Sequence, residues 1–252
     1  MIDHNAESLN HWDAYYRRHA VDDGRYLVPV VSAIVENLGE LRGMWILEVG
    51  AGKGNDSLRL AKLGAKVIAS DQSKESAFRI KKKVNESAGC VSVVVGDVCN
   101  LPFKATRFDL VFSQGTIEHF KDPRAALREQ HFVLKSGGLI LVDVPQKYNI
   151  YTLGKHALML LGLWPGHWET QYSLAEAETM LRKGDFDIVD SYGWGTFTGK
   201  VLSYLHKRFV RRQGRQTRHM REGHRFFCTR NRILKNLCLC IGVTARKHYG
   251  ER

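Results

Sequence analysis

Several protein classes are excluded by what this 252-residue chain lacks. No run approaches the ~18 uninterrupted apolar residues that a membrane-spanning helix needs. The opening MIDHNAESLN has neither the basic nor the apolar block of a secretory signal, so the expected compartment is the reducing cytoplasm. Five cysteines (Cys90, Cys99, Cys228, Cys238 and Cys240), odd in number and without a C-x-x-C pair, argue against a disulfide scaffold. Cys238-x-Cys240 lies in an alternating apolar run, which suits buried structural thiols better than a metal site. There is no internal repeat and no low-complexity tract. With 44% hydrophobic and 25% charged residues, the chain has the composition of a folded globular protein, and its length suits one large domain or one domain with an insertion.

What is present in excess is positive charge, and it is local. The chain carries a formal +12, and residues 199–236 hold twelve Lys/Arg against Glu222 alone. Residues 1–198 are close to neutral, so the basicity belongs to a segment and not to the fold.

From about residue 44 to 145, short apolar runs alternate with helical patterns. Residues 45–49, 65–69, 91–95, 108–112 and 139–144 are rich in Val, Ile, Leu and Phe and read as strands buried on both faces of a parallel sheet. Residues 55–63 follow a glycine turn and stop at Gly64. Ser73 is a natural N-cap for a helix to about residue 88, and Asp122-Pro123 opens another that ends near 135–138. This alternation predicts right-handed βαβ units and a Rossmann-like, doubly wound α/β sheet. Two helices over about 5–19 and 26–38 precede the sheet within an N-terminal cap (1–40). Residues 147–170 form a Trp/Tyr/Gly-rich, lid-like insertion, and a helix runs from 173 to about 183. Residues 186–194 and 237–245 read as the last strands, with a basic insertion (196–236) between them.

Chemistry concentrates at the first turn. Glu48-Val49-Gly50-Ala51-Gly52-Lys53-Gly54 follows a strand and opens a helix, the arrangement in which glycines allow a sharp turn and helix N–H groups face a ligand. No Lys-Ser/Thr follows, so this is not the phosphate loop of nucleotide triphosphatases. Asp71 ends the second strand, 17 residues beyond Gly54, near the spacing at which a carboxylate takes ribose hydroxyls. Glu48 precedes the glycines, where it would repel a pyrophosphate but suit an ammonium. A ligand with a ribose, an amino group and no phosphate fits S-adenosylmethionine better than NAD.

In five motifs the chain resembles the class I S-adenosylmethionine-dependent methyltransferases of the small-molecule type. They are ILEVGAGKG (46–54), ASDQS (69–73), VVGDVCNLPF (94–103), FDLVFSQGTIEHF (108–120) and LREQHFVLKSGGLILVDVP (127–145). The resemblance implies a seven-stranded sheet of order 3-2-1-4-5-7-6 with the last strand antiparallel. It implies S-adenosylmethionine along Glu48, Gly50, Ala51, Gly52 and Gly54, its ribose on Asp71, and its adenine beside Gln72, Asp97 and Val98. Ser113 and Gln114 would lie near the sulfonium.

Methyl transfer needs an oriented acceptor and, at oxygen, somewhere for a proton to go. His119 is the candidate base for O-methylation, set against a histidine that only bonds the backbone. The metal-holding Glu-x-x-Glu-His arrangement of some relatives has glycine (Gly115) in place of its first ligand here, so no metal is expected. Neither an Asp/Asn-Pro-Pro-Tyr motif nor a Pro-Cys nucleophile occurs, which argues against nucleobase methylation of those types. Tyr16 in the N-terminal aromatic cluster and Tyr148, Trp164, His167, Trp168 and Tyr172 in the second insertion are expected to line the acceptor pocket. An apolar stripe over 150–164, broken by Lys155 and His156, reads either as a helix packed on the core or as a lid for a lipid-like acceptor. Three readings of 199–236 stand side by side: a solvated helical pair, an element meeting an anionic membrane surface or acceptor, and a nucleic-acid arm. The functional expectation is a methyltransferase for a small-molecule or lipid-like acceptor, in the cytoplasm or peripheral at the membrane surface. An RNA methyltransferase and a cofactor-binding scaffold without turnover are the alternatives.

Overall fold

A computed structural model describes residues 4–18, 29–85, 91–161, 169–195 and 228–249, without the side chains of 4–10, 150, 157 and 158. Trp164, His167, Trp168 and residues 196–227 of the basic segment lie outside the described residues.

Helices α1 (His4–Arg18) and α2 (Val30–Leu38) precede the alternating core. The core runs β1 (Trp45–Val49), α3 (Asn55–Lys62), β2 (Lys66–Asp71), α4 (Lys74–Asn85), β3 (Val91–Val95), β4 (Phe108–Gln114), a 3-10 turn at Ile117–His119, α5 (Arg124–Val133) and β5 (Leu134–Pro145). There follow α6 (Ile150–Leu160), α7 (Leu174–Arg182), β6 (Phe186–Trp194), β7 (Cys228–Thr229), α8 (Arg232–Lys235) and β8 (Cys240–Lys247).

The strands form one sheet of order β3-β2-β1-β4-β5-β8-β6-β7, parallel from β3 to β5 and antiparallel at β5/β8, β8/β6 and β6/β7. The doubly wound α/β class and the order of the seven expected strands therefore hold. The sheet has an eighth strand: Cys228–Thr229 pairs with Gly193 and Trp194 and, with α8, gives structure to the end of what reads in sequence as one basic insertion.

Apolar side chains fill both faces of the central strands. Leu47, Val49, Val111, Ile140 and Val142 belong to the core on the α5/α7 face, while Ile46, Leu110, Phe112, Leu139 and Leu141 belong to the α2/α3/α4 face. Each such side chain stabilises the fold by about 1.5–3 kcal/mol, and helices on both faces explain why these strands are apolar without alternation. β3 departs from that expectation. As an edge strand it is buried only at Val91, and Val95 is 48% exposed. A continuous apolar run cannot say which strand lacks a second neighbour.

Helix ends follow their capping chemistry. Ser73 Oγ accepts from the Ser76 N–H at 3.1 Å, and Ser173 with Glu176 closes a capping box on α7. α6 inverts the usual arrangement. Thr152 and Lys155 face inward, Lys155 only 2% exposed and paired with Glu169, while Tyr151, Leu153, Met159, Leu160 and Leu161 face out. The expected polar break at Lys155 is thus a buried anchor, because Glu169 and Glu118 draw the ammonium to the strand ends.

One close approach ties the antiparallel edge together. Tyr192 lies against Gly242 on the neighbouring strand, where a β-carbon would overlap its ring. Gly242→Ala is expected to cost about 1–3 kcal/mol through that overpacking; a fall in the urea unfolding midpoint checks it, and an unchanged midpoint counts against the crossing.

Candidate active site

The carboxyl ends of β1, β2 and β4 open into a cavity of about 300 Å³ under α1. A topological switch of strand order places a ligand there in open α/β sheets, and here β1 lies between β2 and β4. The walls include Glu48, Gly50, Ala51, Gly52, Gly54, Asp71, Gln72, Val98, Gln114, His119 and Tyr16, all expected from the sequence.

The glycine loop takes its shape from left-handed backbone at Gly50, Gly52 and Gly54 (φ 68°, 53° and 67°). All three also clear space for protein, Gly50 for the Thr116 side chain. A β-carbon on Gly54 would come within 2.8 Å of Ile80 on α4, and one on Gly52 within 2.9 Å of the Tyr16 hydroxyl. The loop is thus packed against α4 and α1 as well as open to a ligand.

Acidic groups dominate the electrostatics. Glu48 is buried beneath the loop and accepts from the Ser57 N–H at 3.0 Å and from the Ser57 hydroxyl. Burial, and then the nearby Asp56, pushes its carboxyl up to about 8 against the pull of the Ser57 bonds. Asp56, also buried, is raised by desolvation and steadied by Arg59 at 2.9 Å. Asp71 is raised by burial, while N–H groups of Ser73 and Gly52, each at 2.8 Å, hold its two oxygens in place. Three carboxylates therefore share one small cavity, with Lys53 and Arg59 the basic residues on the wall. Such a surface favours a cation and disfavours a phosphate.

Helix α1 covers this space. Trp12 meets the His119 ring edge-to-face with centroids 4.9 Å apart, and it stacks on Tyr16 at 6.2 Å. Asp13 secures the helix: it accepts from the Ser73 hydroxyl and, at 3.3 Å, from the Glu75 N–H at the start of α4. His119 sits on the 3-10 turn with its N–H on the Thr116 carbonyl at 3.2 Å. Its neighbour Glu118 is buried behind the cavity, raised to about 8 by burial and by Glu169, and is not a wall residue.

Other expectations are corrected. Asp97 does not line the cavity; its carboxylate accepts from the Cys99 N–H at 2.9 Å, shaping its own turn, while Gly96 and Val98 form the wall. Ser113 is wholly buried within β4 and is also off the wall. Tyr148 is 58% exposed beneath the Lys147 ammonium, and Tyr172 packs into the core beside Leu174, so neither reaches this cavity. Both are tied to Gln146, Tyr172 through a β-bridge and Tyr148 through its N–H on the Gln146 side-chain oxygen. Conversely, the walls include Asp56, Arg59, Thr116 and Phe120, which sequence reasoning passed over. An acid in the first turn of a helix reads as an ordinary dipole partner, which concealed Asp56.

Removing the Asp13 bonds should loosen α1 alone. In Asp13→Ala, amide exchange over 11–18 is expected to rise by about tenfold, the loss of roughly 1 kcal/mol of capping, with the sheet unchanged; unchanged exchange would show that Asp13 does not hold the helix.

Residues 47–142 match the family model described as "Methyltransferase domain". The chain is 30% identical over 108 residues to a malonyl-[acyl-carrier protein] O-methyltransferase of Hamiltonella defensa, covering 43% of this chain and 40% of that protein. It is 28% identical over 156 residues to a ubiquinone biosynthesis O-methyltransferase of Cereibacter sphaeroides, covering 60% of this chain and 63% of that one. In both cases the matched region is less than two thirds of the relative's length. Among solved structures, the magnesium protoporphyrin IX methyltransferase of Synechocystis, with bound SAH, superposes with a TM-score of 0.65 over 97% of this chain and all of that one, at 19% identity, a likeness of fold. Motifs, sheet order and family match agree that this chain carries a class I S-adenosylmethionine-dependent methyltransferase domain.

Proposed function

We propose that this chain is an S-adenosylmethionine-dependent methyltransferase of a small-molecule or lipid-like acceptor, acting at oxygen. The observation that carries the proposal is the cavity walled by Glu48, Asp56 and Asp71 at the switch point of the sheet. Its acids fit a ligand with an ammonium and a sulfonium and reject a dinucleotide's pyrophosphate. When bound, S-adenosylmethionine supplies a methyl group activated by a positive sulfur.

The chain's own residues then bind, orient and exclude water. Glu48 faces the ammonium, Asp71 accepts from the ribose hydroxyls with its free lone pairs, and Gly96 and Val98 flank the adenine. Trp12 and Tyr16 close the cavity from α1, keeping water from the reacting atoms. His119, a wall residue beside Trp12, takes the proton that an acceptor hydroxyl loses. The two curated relatives are O-methyltransferases by name, which supports oxygen as the methylated atom.

The lipid-like character of the acceptor rests on α6, whose outward face is apolar, with Leu160 89% exposed. That helix is joined to the His119 turn through Thr170, whose N–H donates to the Glu118 carbonyl at 2.8 Å, and through the Glu169–Lys155 pair. Among the described residues no helix is long and apolar enough to cross a membrane, so contact with lipid would be at its surface.

Titration of S-adenosylhomocysteine by calorimetry tests the cavity. Asp71→Ala should weaken binding by about 10- to 100-fold, the loss of charge-assisted hydrogen bonds, and unchanged affinity would refute the ribose assignment. In His119→Ala, affinity should persist while methyl transfer to a responsive phenolic or carboxylic acceptor falls by roughly 10²- to 10⁴-fold; full turnover would retire the base.

Glu48 adds a pH signature. Its carboxyl titrates near 8 in the free chain, and a bound ammonium lowers that value. Binding below pH 8 therefore expels a proton, and affinity rises with pH by up to about tenfold per unit until Glu48 is ionised. Calorimetry from pH 6 to 8 in buffers of different ionisation heat measures both; a flat profile without proton release would remove Glu48 from the ammonium site.

A further inference from the structure

Behind the cavity wall lies a buried polar row that the proposed chemistry does not yet use. Asp143 on β5 is 2% exposed and pairs in register with Gln114 of β4 on one side and Gly242 of β8 on the other. Tyr192 of β6 pairs with Gly242 from beyond. Since Gly242 offers no side chain, the Tyr192 ring crosses β8, and its hydroxyl donates to Asp143 Oδ2 at 2.9 Å. Trp194 Nε1 donates to the same oxygen at 2.8 Å. The Gln114 side chain makes a third hydrogen bond to this carboxylate. The row therefore spans four strands, from β6 to Gln114 on the cavity wall.

A buried carboxylate costs stability unless donors surround it. This one has three, and all are fixed by the sheet. Burial pushes its carboxyl up to about 7, while Trp194, Tyr192 and Gln114 pull it down. A carboxylate only accepts, so Gln114 must spend an amide N–H on it. That choice turns the amide oxygen away from Asp143.

We propose that Asp143 is a positioning residue which, held by Tyr192 and Trp194, orients the Gln114 amide so that its carbonyl oxygen is the acceptor presented to the cavity. The ligand chemistry it selects is a donor: an N–H of the amino-acid tail or a C–H polarised by the adjacent sulfonium. This rests on the methyltransferase reading for what occupies the cavity, but the Asp143–Gln114 coupling belongs to the chain itself. Asparagine at 143 keeps an oxygen for Tyr192 and Trp194 but offers Gln114 an N–H, so the Gln114 amide has to reverse and present its own N–H groups to the ligand.

A double-mutant cycle on the full chain tests this with two readouts. Asp143→Asn and Gln114→Ala are each expected to weaken S-adenosylhomocysteine binding about tenfold, and the double variant no more than Gln114→Ala alone. Multiplicative losses, or unchanged affinity in Asp143→Asn, overturn the proposal. Urea unfolding of the same four proteins reads the coupling without ligand, and additivity there overturns it as well. If the wild-type chain binds no S-adenosylhomocysteine while the unfolding cycle is non-additive, the methyltransferase reading fails and the positioning of Gln114 stands. If Asp143→Asn does not fold, Tyr192→Phe replaces it in both cycles, with an expected loss of about threefold and the same non-additivity.

Discussion

Everything at the switch point of this sheet is arranged around buried negative charge. Glu48, Asp56 and Asp71 come from three consecutive elements and meet at one cavity. Burial pushes the carboxyls of Glu48, Asp56 and Asp71 upward, with the nearby Asp56 adding to the rise at Glu48 and Asp13 to that at Asp71. Backbone and hydroxyl donors from Gly52, Ser57 and Ser73 hold Glu48 and Asp71 in place without a counter-charge, while Arg59 pairs with Asp56. A cationic ligand completes what those donors leave unfinished. The same requirement explains the glycine loop, since only backbone N–H groups and a thin main chain fit between the acids and the ligand.

The elements around the cavity divide the remaining work by how firmly each is attached. Among the described residues, α1 is held through Asp13, on Ser73 and Glu75, and through the Trp12–His119 contact. α6 is attached by the Lys155–Glu169 pair and by Asn149, whose amide donates to the Gln146 carbonyl at 2.7 Å and the Cys238 carbonyl at 3.1 Å. With its polar groups spent on the strand ends, α6 has only its apolar side left to turn outward. The wall carrying Gln114, by contrast, is braced by four hydrogen-bonded strands. A covering built from few contacts can yield to a ligand, whereas the wall against which that ligand is aligned cannot.

Much of this was legible beforehand. Strand β6 and the helices after the glycine loop and after Ser173 fall close to their expected limits, because apolar periodicity and caps are local signals. Glu48, Asp71, Gln114, His119 and Tyr16 were all expected at the site and all line the cavity. The exceptions share a cause. Asp97 bonds its own turn, Tyr148 stands exposed beside Lys147 and Tyr172 packs into the core, and Asp56 resembles a simple helix-start acid. In each case residue type and spacing suit a ligand contact and a structural one equally well, and the folded surroundings decide between them.

Strand periodicity, the alternate glycines and the acids at the ends of β1 and β2 indicated by themselves the fold class and the ligand's charge, since each depends on spacing along the chain, whereas the order of seven strands came with the family resemblance. Only tertiary structure decided that an eighth strand closes the antiparallel edge, that α6 turns its leucines outward, and that Asp143 is joined to Gln114 and to Tyr192 across β8. These depend on which residues stand side by side in the sheet, and pairing between strands far apart in sequence leaves no mark in either strand alone.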